Sequence, residues 1–312
     1  MNRIITSIIT LITAATSFAA TSQDSPLWIR KNCISPDGTK IAFTYKGDIY
    51  YVAAEGGRAV QLTTNPAYDS DPIWTPDGKN LVFSSYREGS KDIYIMDAQG
   101  GAAKRITTWT GNETPLAIYG DEIWFSSEIQ QDADYGDFPG KPQVYAVKTN
   151  GGRPRQVTSL PAGSLSINSR GMVLYEDIKG YEDAFRKHHT SPVTRDIWLC
   201  KATSGKDGLV MDGQSEFTKI SDFKGEDRNP VFGKDGDTFY YLSEADGTYN
   251  IYRNSISNPG KPAQLTFEKG NPVRYISVSD NGTVSYSFDG ELYTIREGNQ
   301  PQKVSREIIT DR

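Results

Sequence analysis

A short pattern of one acidic or amide residue, one aliphatic residue and one aromatic ring occurs six times along the chain. The six copies are Asp48-Ile49-Tyr50, Asp92-Ile93-Tyr94, Gln143-Val144-Tyr145, Asp196-Ile197-Trp198, Asn250-Ile251-Tyr252 and Glu291-Leu292-Tyr293. Each copy is followed by an aliphatic residue and a hydroxyl residue: Leu62-Thr63, Ile106-Thr107, Val157-Thr158, Ile220-Ser221, Leu265-Thr266 and Val304-Ser305, at spacings of 44, 51, 63, 45 and 39 residues. Two markers that agree in number and order indicate six copies of one structural unit.

The unit that ends at Thr107 is the clearest. Pro72-Ile73-Trp74 predicts a first strand, and Thr75-Pro76-Asp77-Gly78 predicts a tight turn, because proline presets φ and glycine tolerates a positive φ. Leu81-Val82-Phe83 and Asp92 to Met96 predict the second and third strands, and the Gly100-Gly101 turn leads into the fourth, Lys104 to Thr107. Each unit is therefore predicted to be a meander of four antiparallel strands.

Such a sheet cannot bury both of its faces alone, whereas a radial arrangement of copies covers them. The sequence predicts an all-β, six-bladed β-propeller of four-stranded antiparallel blades without strand-exchange closure, so that the first and last blades meet through side chains only. The remaining residues, 306–312, are interpreted as a tail or a linker to a missing domain. The predicted blades are approximately 27–64, 68–108, 113–159, 162–222, 226–267 and 272–305.

The charge balance argues against two classes of partner. The chain has 34 basic and 39 acidic residues, a formal net charge of −5. A general electrostatic attraction to nucleic acid or to an anionic membrane surface is therefore not expected.

The amino terminus has the pattern of a signal peptide. Arg3 precedes an uncharged apolar stretch from Ile4 to about Thr16, and small residues surround the predicted cleavage point after Ala19. Residues 1–19 are thus interpreted as a signal peptide, with the remainder exported to the periplasm or the extracellular space, soluble and without membrane insertion. A lipid anchor is rejected because the first cysteine is Cys33, behind polar residues.

The two cysteines, Cys33 and Cys200, are predicted to be unpaired. Cys33 falls on the first strand of blade 1 and Cys200 on the third strand of blade 4. Opposite sides of a six-bladed ring are much farther apart than the ~7 Å between Cα atoms that a disulfide permits.

Three segments carry a family resemblance. Ile34-Ser35-Pro36-Asp37-Gly38 and Trp74-Thr75-Pro76-Asp77-Gly78 resemble the WD-like Pro-Asp repeat of TolB and of tricorn-type proteases. Blade 4 adds a longer segment, Gly180 to Ser191 followed by Arg195-Asp196-Ile197-Trp198, that is similar to the amino-terminal six-bladed propeller of exported tricorn-like serine peptidases.

The resemblance implies a non-catalytic module, because the catalytic serine and histidine of that family have no matching positions in this chain. Either the chain is an amino-terminal fragment of a longer enzyme or it is a stand-alone propeller of the same origin. No catalytic, cofactor-binding or metal-binding residue is predicted. His188 and His189, the only histidines, are consecutive, so in an extended chain they point to opposite sides.

Two sets of carboxylates resemble possible ligand or catalytic groups, and neither is predicted to be one. Asp132, Asp134 and Asp137 share one loop but lack the downstream bidentate glutamate of a calcium loop, so a solvated acidic loop is predicted. Asp48, Asp92 and Asp196 recur at the starts of third strands, which indicates a structural hydrogen bond in each blade.

Two insertions predict a functional face. The connections between the second and third strands are enlarged in blade 3, from about Glu128 to Lys141, and in blade 4, from Ile178 to Thr194, so both should rise from one face of the disc. The second combines aromatic area with basic hydrogen-bond donors suited to peptide carboxylates or to a neighbouring domain. The alternative is a structural plug that packs over the ring, with its charges paired among themselves. The candidate binding residues of this insertion are Tyr181, Glu182, Asp183, Phe185, Arg186, Lys187, His188, His189 and Arg195.

Three functions remain open at this point. The first is the propeller of a tricorn-like serine peptidase, which guides or filters peptide substrates or docks the catalytic domains. The second is a TolB-like periplasmic interaction scaffold, and the third is a self-contained propeller hydrolase. The predicted partners are a peptide substrate or the remaining domains of a longer peptidase, with a homo-oligomer left open.

Overall fold

The structure is a computed structural model that describes residues 28–128, 141–180 and 191–309. Its main elements are six four-stranded antiparallel sheets, each built from consecutive segments of the chain. The predicted six-bladed, all-β propeller without strand exchange is thereby confirmed. The described residues contain no helix with the length and apolar composition needed to cross a membrane.

The first three blades are regular. Blade 1 contains β1 (Arg30–Ile34), β2 (Lys40–Tyr45), β3 (Asp48–Ala53), β4 (Gly57–Arg58) and β5 (Val60–Gln61). Blade 2 contains β6 (Asp69–Trp74), β7 (Asn80–Ser85), β8 (Asp92–Asp97) and β9 (Lys104–Arg105). Blade 3 contains β10 (Glu113–Tyr119), β11 (Glu122–Ser127), β12 (Gln143–Lys148) and β13 (Arg155–Thr158).

The last three blades carry two additions, a hairpin in blade 4 and a terminal strand after blade 6. Blade 4 contains β14 (Ala162–Ile167), β15 (Met172–Asp177), β16 (Ile197–Lys201), the hairpin β17 (Thr203–Gly205) and β18 (Gly208–Val210), and β19 (Glu216–Lys219). Blade 5 contains β20 (Asp227–Phe232), β21 (Thr238–Ser243), β22 (Asn250–Ser255) and β23 (Ala263–Gln264). Blade 6 contains β24 (Arg274–Val278), β25 (Val284–Phe288), β26 (Glu291–Ile295) and β27 (Gln302–Lys303), and β28 (Arg306–Glu307) follows it.

The strand order defines two faces of the disc. One, here called the loop face, carries the connections between second and third strands and the connections from blade to blade. The other, the turn face, carries the turns between first and second strands and between third and fourth strands. The first strands, β1, β6, β10, β14, β20 and β24, contact one another around the centre of the ring.

Apolar side chains fill the six seams between neighbouring blades. Successive residues of a strand face opposite sides of its sheet, so Phe43 packs toward blade 6 while its neighbour Ala42 packs toward blade 2. Every seam holds one such cluster of buried residues. The core is therefore a ring of inter-blade layers, and each blade depends on both neighbours.

A hydroxyl fastens the outer edge of four blades. The backbone N–H of the aliphatic residue in the repeated acidic-or-amide, aliphatic, aromatic pattern donates to a threonine or serine that follows the fourth strand: Ile49 to Thr63, Ile93 to Thr107, Ile197 to Ser221 and Ile251 to Thr266, at 2.8–2.9 Å. The same hydroxyl donates to the acidic or amide residue of that pattern in three of these blades, at Asp48, Asp196 and Asn250. Asp92 instead pairs with Arg105 at 2.8 Å. The repeated third-strand carboxylates thus have the structural role that their recurrence predicted.

The Ser-Pro-Asp-Gly segment of blade 1 forms the predicted tight turn. Ser35 Oγ donates to Asp37 Oδ1 at 2.6 Å, and the backbone N–H of Thr39 donates to the same oxygen at 3.0 Å. Gly38 has a φ of +77°, which glycine adopts without steric cost. Blade 2 repeats the arrangement with Thr75 and Asp77.

One expectation about the ring closure is wrong. Blades 1 and 6 do not meet through side chains only, because β28 pairs in parallel with β4. The backbone N–H groups of Gly57 and Ala59 donate to the carbonyl oxygens of Ser305 and Glu307, both at 2.8 Å. The cause is chain length: the segment after β27 continues across the seam and reaches an unpaired edge in blade 1, which a four-strand count per blade does not reveal.

The cysteines are free, as predicted. Cys33 lies on β1, and Cys200 lies buried on β16. Burial raises the pKa of the Cys200 thiol to about 11, so this thiol stays protonated and unreactive at neutral pH.

Candidate functional site: the central channel and its mouth

A cavity of about 480 Å³ occupies the centre of the ring and is lined by the first strand of every blade. Its wall includes Cys33, Trp74, Leu116, Ser164, Val231 and Ser277, one residue from each blade in turn. Because all six blades contribute, this cavity is the central channel of the propeller.

Four first strands place an unusual backbone conformation at the loop-face end of this channel. Lys31, Asp71, Asn229 and Tyr275 have φ values of +52°, +58°, +52° and +56°, in the left-handed region that residues other than glycine rarely adopt. At each of these positions the strand register shifts, which identifies a β-bulge. Bulges redirect side chains, and strained positions of this kind cluster at functional sites.

The bulges of blades 1 and 2 bring opposite charges together. Lys31 Nζ lies 3.2 Å from Asp71 Oδ1, and Lys91 Nζ lies 2.8 Å from Asp71 Oδ2. Lys91 also donates to Thr114 in blade 3 at 3.0 Å, and the Lys31 ammonium lies 5.3 Å from the ring centroid of Tyr275 in blade 6. Burial alone would raise the pKa of Asp71, but Lys31 and Lys91 outweigh it and hold this pKa well below its usual range.

The opposite side of the mouth carries a second network. The guanidinium of Arg195 pairs with Glu176, and that of Arg228 pairs with Glu226. Arg195 Nε also lies 3.9 Å from Glu226, and Glu176 accepts the backbone N–H of the bulge residue Asn229 at 2.8 Å. These contacts link the bulge of blade 5 to ion pairs that span blades 4 and 5.

The bulge of blade 4 holds a glycine for a steric reason. A Cβ on Gly163 would collide with the carboxylate of Glu176 and would lie 2.6 Å from Arg195 Nη1. Gly163 therefore leaves the space in which the Glu176–Arg195 pair sits.

Together the two networks place ion pairs on two opposite sides of the mouth. Its cations are Lys31, Lys91, Arg195 and Arg228, and its anions are Asp71, Glu176 and Glu226. Such an arrangement offers both donors and acceptors to a polar chain that enters the channel. Within residues 28–128, 141–180 and 191–309, no group of three or more His, Cys, Asp or Glu side chains could hold a metal ion.

The structure places Arg195, one of the predicted binding residues, in this mouth. The other eight, Tyr181, Glu182, Asp183, Phe185, Arg186, Lys187, His188 and His189, lie outside the described residues, as do the predicted signal peptide and Asp132, Asp134 and Asp137. The strands that flank both insertions, β11 and β12 in blade 3 and β15 and β16 in blade 4, meet these segments at the loop face.

Lys179 ties together the two described ends of the blade 4 insertion. Its ammonium donates to the carbonyl oxygen of Thr194 at 2.6 Å and to Asp196 Oδ2 at 2.5 Å. Burial lowers the pKa of Lys179, but the bond to Asp196 and the charge of Asp177 raise it more, so the ammonium stays charged.

The sequence interpretation missed the bulge residues. Polar residues directly before proline within a predicted apolar strand, Asp71-Pro72 and Asn229-Pro230, were the available signal. A residue before proline avoids the right-handed helical region, and Asp and Asn tolerate the left-handed one better than other residues.

Exposed apolar side chains gather on the loop face. Trp28 and Phe267 are 74% and 67% exposed, and Tyr68, Tyr86 and Leu160 are also exposed. All five precede a first strand or lie in a blade-to-blade or second-to-third-strand connection. They lie on the face from which both insertions start.

Comparison with known proteins identifies relatives with the same architecture. Residues 28–301 match the family model of the tricorn protease N-terminal beta propeller domain. The chain is 25% identical over 275 residues to tricorn protease homolog 1 of Streptomyces coelicolor, covering 86% of this chain and 24% of that protein. It is 23% identical over 288 residues to the tricorn protease homolog of Saccharolobus solfataricus, covering 88% and 24%. The chain thus spans about a quarter of the length of these curated relatives.

Two solved structures share the fold. The crystal structure of the tricorn protease superposes with a TM-score of 0.72 at 18% identity, over 89% of this chain and 26% of that one. TolB from Acinetobacter baumannii gives a TM-score of 0.61 at 16% identity, over 86% of this chain and 60% of that one. The family match covers most of the residues that form the six blades, and the chain therefore belongs to the family of tricorn protease N-terminal β-propeller domains.

Proposed function

We propose that this chain is the non-catalytic propeller of a longer, exported tricorn-like serine peptidase, in which it guides or filters peptide substrates through its channel. The observation that carries the proposal is the channel mouth, where two strained bulges place a cation, Lys31, and an anion, Asp71, at one opening. A stretch of unfolded peptide presents backbone donors and acceptors at every residue, and a mouth with both kinds of partner suits it.

The strain supports a binding role over a purely structural one. A left-handed conformation at a residue other than glycine costs of order 1–3 kcal/mol and persists only where the surroundings enforce it. Lys31 and Asp71 both carry this cost and both face the opening. A channel wall with a purely structural role does not require strained residues at its opening. An opening that selects the peptides entering the channel does require them.

The loop face is proposed to dock the remaining domains of the peptidase. Trp28 and Phe267 are the most exposed large apolar side chains among the described residues. Aromatic residues of this kind are enriched where proteins meet. The coverage of about a quarter of each tricorn homologue is consistent with further domains in the same polypeptide.

Export is part of the same proposal. The signal-peptide pattern of residues 1–19 supports delivery to the periplasm or the extracellular space. Detection of the unprocessed amino terminus in the cytoplasmic fraction of the native host would contradict it.

A TolB-like scaffold is the second candidate, favoured by the shared fold and by the exposed aromatic residues of the loop face. In this alternative a partner protein covers the loop face and nothing enters the channel. The two candidates differ in whether the channel wall matters for binding.

A tryptophan placed in the channel tests this difference. Ser164 lines the channel, and Ser164→Trp should lower the affinity for fluorescent unstructured peptides at least tenfold, measured by fluorescence anisotropy with the full chain. Ser204, on the exposed hairpin of blade 4, provides the control Ser204→Trp, which should leave the affinity unchanged. Equal affinities for both variants, or no peptide binding by the unaltered chain, would reject the channel proposal.

A further inference from the structure

The seam between blades 4 and 5 contains a second cavity of about 480 Å³, separate from the channel. Its walls are mainly apolar and aromatic, and a few polar groups reach into it. Ile197 and Phe223 contribute from the side of blade 4, and Tyr241, Tyr252 and Asp227 contribute from blade 5. A cavity of this size with an apolar lining and few polar groups is typical of small-ligand sites.

The corresponding space between blades 2 and 3 is filled by the chain itself. The ring of Trp109 packs against Phe125, with centroids 5.8 Å apart, and against Tyr145, at 4.9 Å and an interplanar angle of 90°. Phe125 and Tyr145 are cross-strand partners on β11 and β12. An indole is therefore the group that this seam geometry accommodates.

The two seams match residue by residue. Tyr241 and Tyr252 are cross-strand partners on β21 and β22, as Phe125 and Tyr145 are in blade 3. Phe223 lies two residues after the fastening hydroxyl of Ser221, as Trp109 lies two residues after that of Thr107.

Phe223 nevertheless leaves the space open. It is only partly buried and forms part of the cavity wall. The ring contacts of Tyr241 are made with Phe239 at 5.6 Å and with Tyr252 at 5.8 Å, inside its own blade. Trp109 covers the aromatic pair Phe125 and Tyr145 in the seam between blades 2 and 3. The equivalent pair in the seam between blades 4 and 5, Tyr241 and Tyr252, instead borders the cavity.

We propose that the seam cavity between blades 4 and 5 binds an indole ring, which stacks on the Tyr241–Tyr252 pair. The indole belongs either to a small molecule or to a tryptophan side chain of a partner protein. The site is independent of the channel and of the peptide-guiding proposal, since none of its lining residues lies in the channel wall.

Isothermal titration of the full chain with free indole tests the site, with one site per chain expected. Phe223→Trp should place the chain's own indole in the cavity and weaken binding at least tenfold. Val60→Trp, a change to tryptophan at an exposed position outside the cavity, should leave binding unchanged. Absence of heat at millimolar indole, or equal binding by both variants, would overturn the proposal.

Two further arms complete the experiment. N-acetyl-tryptophanamide that binds as tightly as indole supports a partner's tryptophan as the occupant, whereas preference for free indole supports a small molecule.

Trp109→Ala should open an equivalent cavity between blades 2 and 3 and raise the stoichiometry to two indoles per chain. A stoichiometry that remains at one in a folded Trp109→Ala variant would contradict the equivalence of the two seams.

Discussion

The hydroxyl of Thr107 donates a hydrogen bond of 3.0 Å to Oε2 of Glu113, and so joins the end of blade 2 to the start of blade 3. The same hydroxyl accepts the backbone N–H of Ile93 at 2.8 Å. One side chain therefore fastens the outer strand of its own blade and holds the inner strand of the next. All three residues are fully or almost fully buried, so water cannot replace these bonds.

Thr107→Val should destabilise the chain by about 2–3 kcal/mol, because it leaves the N–H of Ile93 without a partner and removes the bond to Glu113 at almost unchanged volume. Urea unfolding followed by tryptophan fluorescence measures the change. Thr108→Val is the matched control: Thr108 is exposed, and its replacement should cost less than about 0.5 kcal/mol. Equal effects at the two positions would show that the inter-blade bond contributes nothing.

Glu113 should also make the stability depend on pH. Burial raises the pKa of Glu113 to about 8, the hydrogen bond from Thr107 and the charge of Arg105 lower it, and Asp92 raises it. The folded state therefore keeps a proton that the unfolded state releases near its ordinary value of 4.5. The stabilisation is complete below pH 4.5, declines as pH rises, and is lost once pH passes about 8.

The free energy of unfolding of the unaltered chain, relative to that of Glu113→Gln, should thus fall by about 1–2 kcal/mol between pH 6 and pH 8. Parallel urea titrations of the two proteins measure this difference, so that other titrating groups cancel. A difference that is constant over this range would show that Glu113 is ionised in the folded protein.

The repeating parts of the fold were predictable because their causes are local. The turn at Ser35 to Thr39 is closed by Asp37 within five residues, and the third strand at Asp48 has its own fastening hydroxyl at Thr63. Each signal and its partner lie in one blade, so six copies of the sequence pattern translate directly into six sheets.

The site was less predictable because its causes are distant in sequence. Lys31 meets Asp71 from one blade away, and the bulge residue Asn229 is bonded by Glu176 of the preceding blade. The β28–β4 pairing joins residues about 250 positions apart. Such contacts depend on where the ring places each strand. The residue spacing within one repeat therefore does not predict them.

Asp71 should be the most sensitive charge at the channel mouth. Asp71→Asn keeps the shape and the tolerance for a left-handed conformation but leaves the ammonium groups of Lys31 and Lys91 without their carboxylate. Lys91 and Asp71 are mostly buried, so a loss of about 1–3 kcal/mol is expected. Asp121→Asn breaks the exposed pair with Lys148 and should cost at most about 0.5 kcal/mol. Chemical denaturation of both variants at low salt measures the two losses of stability. A smaller loss in Asp71→Asn than in Asp121→Asn would contradict the prediction.

The closure of the ring can be tested at one glycine. Gly56 and Gly100 occupy the same turn in blades 1 and 2, with φ values of +100° and +101°. A Cβ on Gly56 would collide with the carbonyl oxygen of Ser305, which accepts the N–H of Gly57, whereas a Cβ on Gly100 would meet only Leu62 Cδ2 at 3.8 Å. Both alanine variants bear the same strain of a positive φ, so their difference isolates the contact across the closing seam.

Gly56→Ala should therefore be less stable than Gly100→Ala by about 1–3 kcal/mol in urea unfolding, the range expected when an added methyl group forces the backbone to shift. Hydrogen exchange adds a local readout, because the amides of Gly57 and Ala59 donate across the seam. In Gly56→Ala both amides should exchange at least tenfold faster, while in Gly100→Ala they should stay protected. Equal stability of the two variants with both amides still protected would mean that the β28–β4 pairing does not hold the ring closed.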